Sequence, residues 1–84
     1  MATTTKTLST TAWVLVSSAV SGTMENKTGQ LVIFRTGNTL PAPTEMVGLT
    51  LEREKRESWS FDPAQNIYAR ALEQPGGPLV VVEG

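Results

Sequence analysis

Apolar positions in this chain fall in short runs, punctuated by Gly, Pro, Asn and Ser rather than spaced along a helical face. Runs of β-branched and aromatic residues bounded in this way read as strands. Ala12-Trp13-Val14-Leu15-Val16 is the first. Trp13 and Leu15 fall on one face and Val14 and Val16 on the other, so both sides of this strand are predicted to be covered. Ser17-Ser18-Ala19-Val20 continues it more weakly, and Ser21-Gly22 reads as a turn or bulge. A further turn is expected at Asn26–Gly29. The strand Gln30-Leu31-Val32-Ile33-Phe34-Arg35-Thr36 follows, closed by Gly37-Asn38, which both tolerate positive φ.

Leu40-Pro41-Ala42-Pro43 cannot lie inside a sheet, because each proline lacks a donor and pushes its predecessor toward extended geometry. It is predicted as an edge segment or a loop crossing the end of the fold. Val47-Gly48-Leu49-Thr50-Leu51 then alternates, with Val47, Leu49 and Leu51 on one face. Glu52-Arg53-Glu54-Lys55-Arg56-Glu57 contains good helix formers but no apolar stripe. Alternation resumes in Ser58-Trp59-Ser60-Phe61, so residues 52–57 are read as a charged hairpin tip, with a single helical turn as the alternative. Asp62–Asn66 is loop-like, Ile67–Leu72 a strand, Gln74-Pro75-Gly76-Gly77-Pro78 a turn, and Leu79–Val82 a last strand, apolar on both faces. The strands around Trp59, Tyr68 and Val81 are expected to form a three-stranded meander.

These elements predict an all-β fold, a small antiparallel β-sandwich or barrel of about six strands. The β domain is expected to span residues 12–84. Residues 1–11 are nearly all small and polar and are expected to form an extended N-terminal arm. With only Leu8 to bury, such an arm has little to offset the entropy of ordering. A neighbouring subunit is predicted to hold it, the alternative being an arm folded back along its own domain. Thr3, Thr5 and Leu8 are therefore candidate interface residues.

Composition narrows the function. A chain of 84 residues allows one domain with a thin core, burying about 60–65% of its unfolded surface. With Cys and His both absent, disulfides, thiolate zinc sites and the commonest transition-metal ligand are excluded. No metal or cofactor is predicted, and oligomerisation is the stabilising device that remains. A net charge of −1 argues against nucleic-acid binding through phosphate contacts. Arg53, Lys55 and Arg56 cluster, but Glu52, Glu54 and Glu57 interleave with them. No apolar run approaches the roughly 20 residues of a membrane span, so no membrane partner is predicted. Ala12–Val20 is too interrupted by Ser17 and Ser18 to be a signal sequence, so the chain is expected to begin in a cytoplasm. Asn26-Lys27-Thr28 fits a glycosylation sequon, which carries no weight without a secretory route.

Enzymatic chemistry is not expected. The serines stand beside no base at a suggestive spacing, and no Gly-x-Ser-x-Gly elbow is present. Glu52, Glu54 and Glu57 form the one carboxylate cluster, and interleaved bases make it a solvated tip rather than an acid–base pair. Gly76-Gly77 between prolines is a tight turn, not a phosphate cradle. The aromatics Trp13, Phe34, Trp59, Phe61 and Tyr68 could stack on bases, but each has an apolar strand context that reads as core or subunit interface. Tyr68 and Arg70 share a face, and both residue types are enriched at interface hot spots. Trp13, Val80 and Val82 belong to doubly apolar strands that require cover, most simply from a symmetric partner. These five residues complete the candidate interface.

One further pattern concerns the whole chain beyond residue 11. Trp13, Asn26, a strand ending near Arg35, Leu40-Pro41-Ala42-Pro43, Gly48-Leu49, Trp59-Ser60-Phe61, Ile67-Tyr68-Ala69-Arg70 and Val80-Val81-Val82-Glu83-Gly84 follow one another. The arrangement resembles small structural proteins of tailed bacteriophages, which include capsid decoration proteins and small tail or fibre-base components. The resemblance implies a virion structural subunit, assembled in the host cytoplasm. It implies a homo-oligomer bound to other virion proteins, the major capsid protein first, with arms lacing neighbouring subunits. A soluble β-barrel binding or inhibitor module is the alternative from another class, and a single-strand nucleic-acid binder a more distant one.

Overall fold

The short apolar runs become strands in a computed structural model that describes residues 2–84. In chain order these are β1 (Ala2–Leu8), β2 (Val14–Ser17), β3 (Ser21–Asn26), β4 (Val32–Gly37), β5 (Leu49–Leu51), β6 (Arg56–Ser60), β7 (Asn66–Ala71) and β8 (Gly77–Glu83). They make two antiparallel sheets of four strands. Sheet I has the order β1-β8-β3-β6 and sheet II the order β2-β7-β4-β5. The all-β, sandwich-like expectation holds, but with eight strands rather than six. The two additional strands are β1 and β3.

β1 is the segment expected to extend as an arm. It lies instead along β8, in unbroken register from Ala2↔Glu83 to Leu8↔Gly77. A strand can be held by its backbone ladder with few apolar side chains, and here Leu8, 2% exposed, anchors its end in the core. The radius of gyration of 11.6 Å matches the about 12 Å of a chain this long packed as one body. Met1, the first residue of the expected arm, lies outside the described residues.

β3 begins at Ser21-Gly22, the expected turn. Glycine is needed there for close approach rather than for turning. A Cβ on Gly22 would lie 2.6 Å from the Val82 carbonyl oxygen and 2.7 Å from the Trp59 ring, and such packing is one reason for glycine inside a strand.

Only β4 and β5 are both consecutive in sequence and hydrogen-bonded neighbours; every other connection carries the chain from one sheet to the other. This corrects two expectations. Residues 52–57 are not a hairpin tip, because β5 and β6 lie in different sheets. Nor do the strands of Trp59, Tyr68 and Val81 form a meander, because β6 and β8 flank β3 in sheet I while β7 lies in sheet II.

Asn26 explains the crossing from β5 to β6. Its side chain is fully buried, and its Nδ2 donates to the carbonyls of Gln30 (2.6 Å), Leu51 (3.0 Å) and Glu52 (3.2 Å). Its Oδ1 accepts from the backbone N–H and the hydroxyl of Thr28. The Asn26 backbone donates to Lys55 O and accepts from Glu54 N–H. A buried polar group is tolerated when its hydrogen bonds are made, and these direct residues 52–55 across the end of the sandwich. Glu54 takes a positive φ of 61° in the process.

Between the sheets, Leu8, Met24, Leu79 and Val81 of sheet I meet Val16, Val32, Leu51, Ile67, Ala69 and Ala71 of sheet II. Alternation along the strands then dictates what faces outward, and the two outer faces differ.

Candidate interaction surfaces

The outer face of sheet II carries Ile33, Tyr68 and Arg70, with Trp13 just before β2, all at most 5% exposed. The loop from Asn38 to Gly48 covers them, and its backbone carbonyls do the binding. Arg70 Nη1 donates to Pro43 O, Trp13 Nε1 to Glu45 O at 2.9 Å, and Arg35 Nη1 to Val47 O at 3.2 Å. These acceptors are alternate residues of one segment, which turns at Pro43-Thr44 as Glu45 N–H donates to Ala42 O at 2.9 Å. The prolines that bar this segment from a sheet interior leave it free to serve as a lid. Arg70 Nη2 also donates to Thr10 O. The guanidinium carbons of Arg35 and Arg70 stand 5.9 and 5.8 Å from the Trp13 ring centroid, within cation–π range. Arg70 is buried without a carboxylate partner among the described residues, and its Nε makes no hydrogen bond.

The outer face of sheet I is a ladder of small polar and β-branched residues. One row runs Thr3, Val82, Thr23, Ser58, and the next runs Thr5, Val80, Glu25, Arg56. The Thr23 and Ser58 hydroxyls are 2.9 Å apart. Glu25 is the hub of the charges, paired with Lys27 at 2.6 Å and Arg56 at 2.9 Å, while Lys27 also reaches Glu54 at 3.2 Å. The Lys27 hydrogen bond, with Arg56 adding attraction, holds the Glu25 carboxyl below its ordinary range against an opposing effect of burial. Hydrogen bonds to Glu25 and Glu54 raise Lys27 in turn.

The third surface is the open side of the sandwich between edge strands β5 and β6. Two adjoining clefts there, of about 460 and 470 Å³, share Phe34, Thr36, Leu49 and Phe61 as walls. Beside them Val47 is 71% and Leu49 66% exposed. Of Val47, Leu49 and Leu51, which alternation predicted on one face, only Leu51 is buried. The chain enters β5 from Gly48, where a Cβ would lie 2.8 Å from Phe34 O and 3.3 Å from the Trp13 ring.

Of the candidate interface residues, Thr3 and Thr5 are exposed and Val80 and Val82 half-buried, all on the outer face of sheet I. Leu8 belongs to the core between the sheets, and Trp13, Tyr68 and Arg70 lie beneath the lid, so the chain itself encloses these four. Tyr68 and Arg70 do share a face, as their spacing predicted. The open side was missed. Its signal was available in Val47 and Leu49, apolar residues directly after a proline-bearing segment.

No group of three or more potential metal-ligating side chains occurs among the described residues. The arrangement is that of an antiparallel two-sheet β-sandwich. No protein family, curated protein or solved structure matches the chain.

Proposed function

We propose that this chain is a non-enzymatic virion structural subunit, of the decoration or minor-capsid kind found in tailed bacteriophages. In this reading it binds the major capsid protein and further copies of itself, and stabilises the shell by adding buried contact area. The observation that carries the reading is the exposed apolar surface at Leu40, Met46, Val47 and Leu49, at 61%, 50%, 71% and 66%. Contiguous apolar exposure marks surfaces that are covered in use. The flat Thr/Ser/Val ladder of sheet I offers a second, polar contact face. A standard contact of about 1,600 Å² at about 25 cal/mol per Å² supplies ample gross energy before ordering costs are met.

The test is composition of the particle. Virions purified by density gradient from a host producing this chain should contain it in many copies, as read by quantitative mass spectrometry. Shells stripped of it should open at lower temperature and recover when it is added back. Absence from the particles overturns the reading. Immunogold label on the tail rather than the shell favours a tail or fibre-base component, the nearest alternative.

A further inference from the structure

The open side between β5 and β6 differs from the rest of the surface in combining a ridge and a groove. β4 continues to Gly37, but β5 pairs with it only as far as Phe34↔Leu49. The edge of sheet II beyond that point has no neighbouring strand. Leu49 is one of the walls shared by the two clefts, and Val47 lines the second. Both side chains stand more than half exposed beside the hollows flanked by Phe34 and Phe61.

We propose that this surface is an isologous interface, closed by a second copy of the chain. The Val47–Leu49 ridge of each protomer enters the groove of the other. The inference rests on the assembly reading for its premise that the chain works in multiple copies, and it specifies the contact. Two observations select a second copy over other occupants. First, a protruding apolar ridge and an apolar groove lie side by side on one surface. A two-fold axis brings such a pair into mutual contact, because residue i meets j while j meets i. A peptide strand added along β6 would fill the first cleft and leave Val47 and Arg35, which line the second, uncovered.

Second, the charges on the surface are self-complementary. Glu57 is the charged residue lining the first cleft and Arg35 the one lining the second. Glu57 has no ion-pair partner among the described residues. Arg35 donates to Val47 O at 3.2 Å and pairs with Glu45 at 3.6 Å, but its side chain stays about one third exposed. The two-fold contact places Glu57 of one protomer toward Arg35 of the other. A standard interface takes about 800 Å² from each partner, about one sixth of this chain's 4768 Å² surface.

Sedimentation equilibrium of the purified full chain tests the proposal. The expected mass is twice 9.0 kDa. Leu49→Glu should weaken association by about thirtyfold or more, the loss of one hot-spot residue, while the circular dichroism spectrum stays native because Leu49 packs on little of its own chain. Leu15→Glu is the control. Leu15 is 44% exposed on β2, the opposite edge of sheet II, and its substitution should leave the dimer intact. Glu57→Arg should weaken the dimer while the circular dichroism spectrum stays native. A monomeric wild-type chain, a dimer indifferent to Leu49→Glu, or one that dissociates with Leu15→Glu instead overturns the proposal. Particles that contain a chain monomeric in solution would sink the dimer alone. A Leu49-dependent dimer that never enters particles would sink the virion reading alone.

Discussion

Sheet II turns Trp13, Ile33, Tyr68 and Arg70 outward and keeps all of them buried, whereas sheet I turns outward Thr3, Thr5, Thr23, Ser58, Val80 and Val82 and leaves them exposed or half-buried. A face of threonine and serine can meet water, so sheet I needs cover on one side only. A face of aromatics and a buried guanidinium cannot, and sheet II receives the 38–48 loop as a lid. The lid has a cost. Arg70 gives up its hydration for two backbone carbonyls and the Trp13 ring, with no counterion among the described residues and one nitrogen unbonded. The comparison shows how a short chain can bury both faces of one sheet: a segment unfit to be a strand supplies acceptors instead of a ladder.

The largest expected effect comes from removing the centre of that lid. Arg70→Ala leaves the Pro43 and Thr10 carbonyls unpaired and opens a cavity beside Trp13, at about 3 kcal/mol, measured by urea unfolding. Arg70→Met should cost less, about 1 kcal/mol, because it fills the space and removes an uncompensated charge. Equal losses for the two would show that the carbonyl hydrogen bonds, not the packing, carry the site. Limited proteolysis should find residues 38–48 newly sensitive in Arg70→Ala. Trp13→Phe comes next, at about 1 kcal/mol for the lost indole hydrogen bond to Glu45. If it costs nothing, the lid is held by Arg70 and Arg35.

The two faces were not equally legible in the sequence. Strands with β-branched cores were readable: Gln30–Thr36, Ile67–Leu72 and Leu79–Val82 correspond closely to β4, β7 and β8. Their alternation also placed Tyr68 and Arg70 on one face. What alternation could not say was that Pro41–Val47 would return to cover that face, because a lid made by carbonyls leaves no side-chain pattern. β1 was hidden for the converse reason. Its hold is a backbone ladder, and a row of threonines reads the same whether free or paired. β3 was disguised by Gly22 and Asn26, a turn residue and a polar one at inward positions, each required by a specific neighbour. Pairing was least legible of all. Short strands joined by turn-forming residues suggest hairpins, yet almost every connection crosses between sheets, and the Asn26 contacts that steer one such crossing reach Leu51 and Glu52, 25 and 26 positions away.

On sheet I the expected effects are small, which is itself the sharpest contrast with Arg70. Thr23→Ala removes a hydroxyl pair with Ser58 on a solvated face and should shift stability by no more than about 0.5 kcal/mol. A loss comparable to that of Trp13→Phe would mean that this face, too, is under load in the isolated chain.

The ionic cluster of Glu25, Lys27 and Arg56 gives the smallest effect and the most specific signature. Glu25 has its folded pKa depressed, first by the Lys27 hydrogen bond and then by the attraction of Lys27 and Arg56. Its contribution is therefore complete above the ordinary carboxylate value and is lost as pH falls through the depressed folded value. Lys27 has its folded pKa raised by Glu25 and Glu54. Its contribution is complete below the ordinary lysine value and is lost as pH rises through the raised one. The stability difference between wild type and Glu25→Gln should accordingly be flat around neutral pH and shrink at both extremes. Because the side chains of Lys27 and Arg56 are 45% and 73% exposed, it should also fade with added salt, nearly vanishing at about 1 M. The Arg70→Ala loss, made by buried contacts, should persist at that salt. If both losses fell together, the buried and open faces would share one electrostatic origin, and the contrast between lid and ladder would fail.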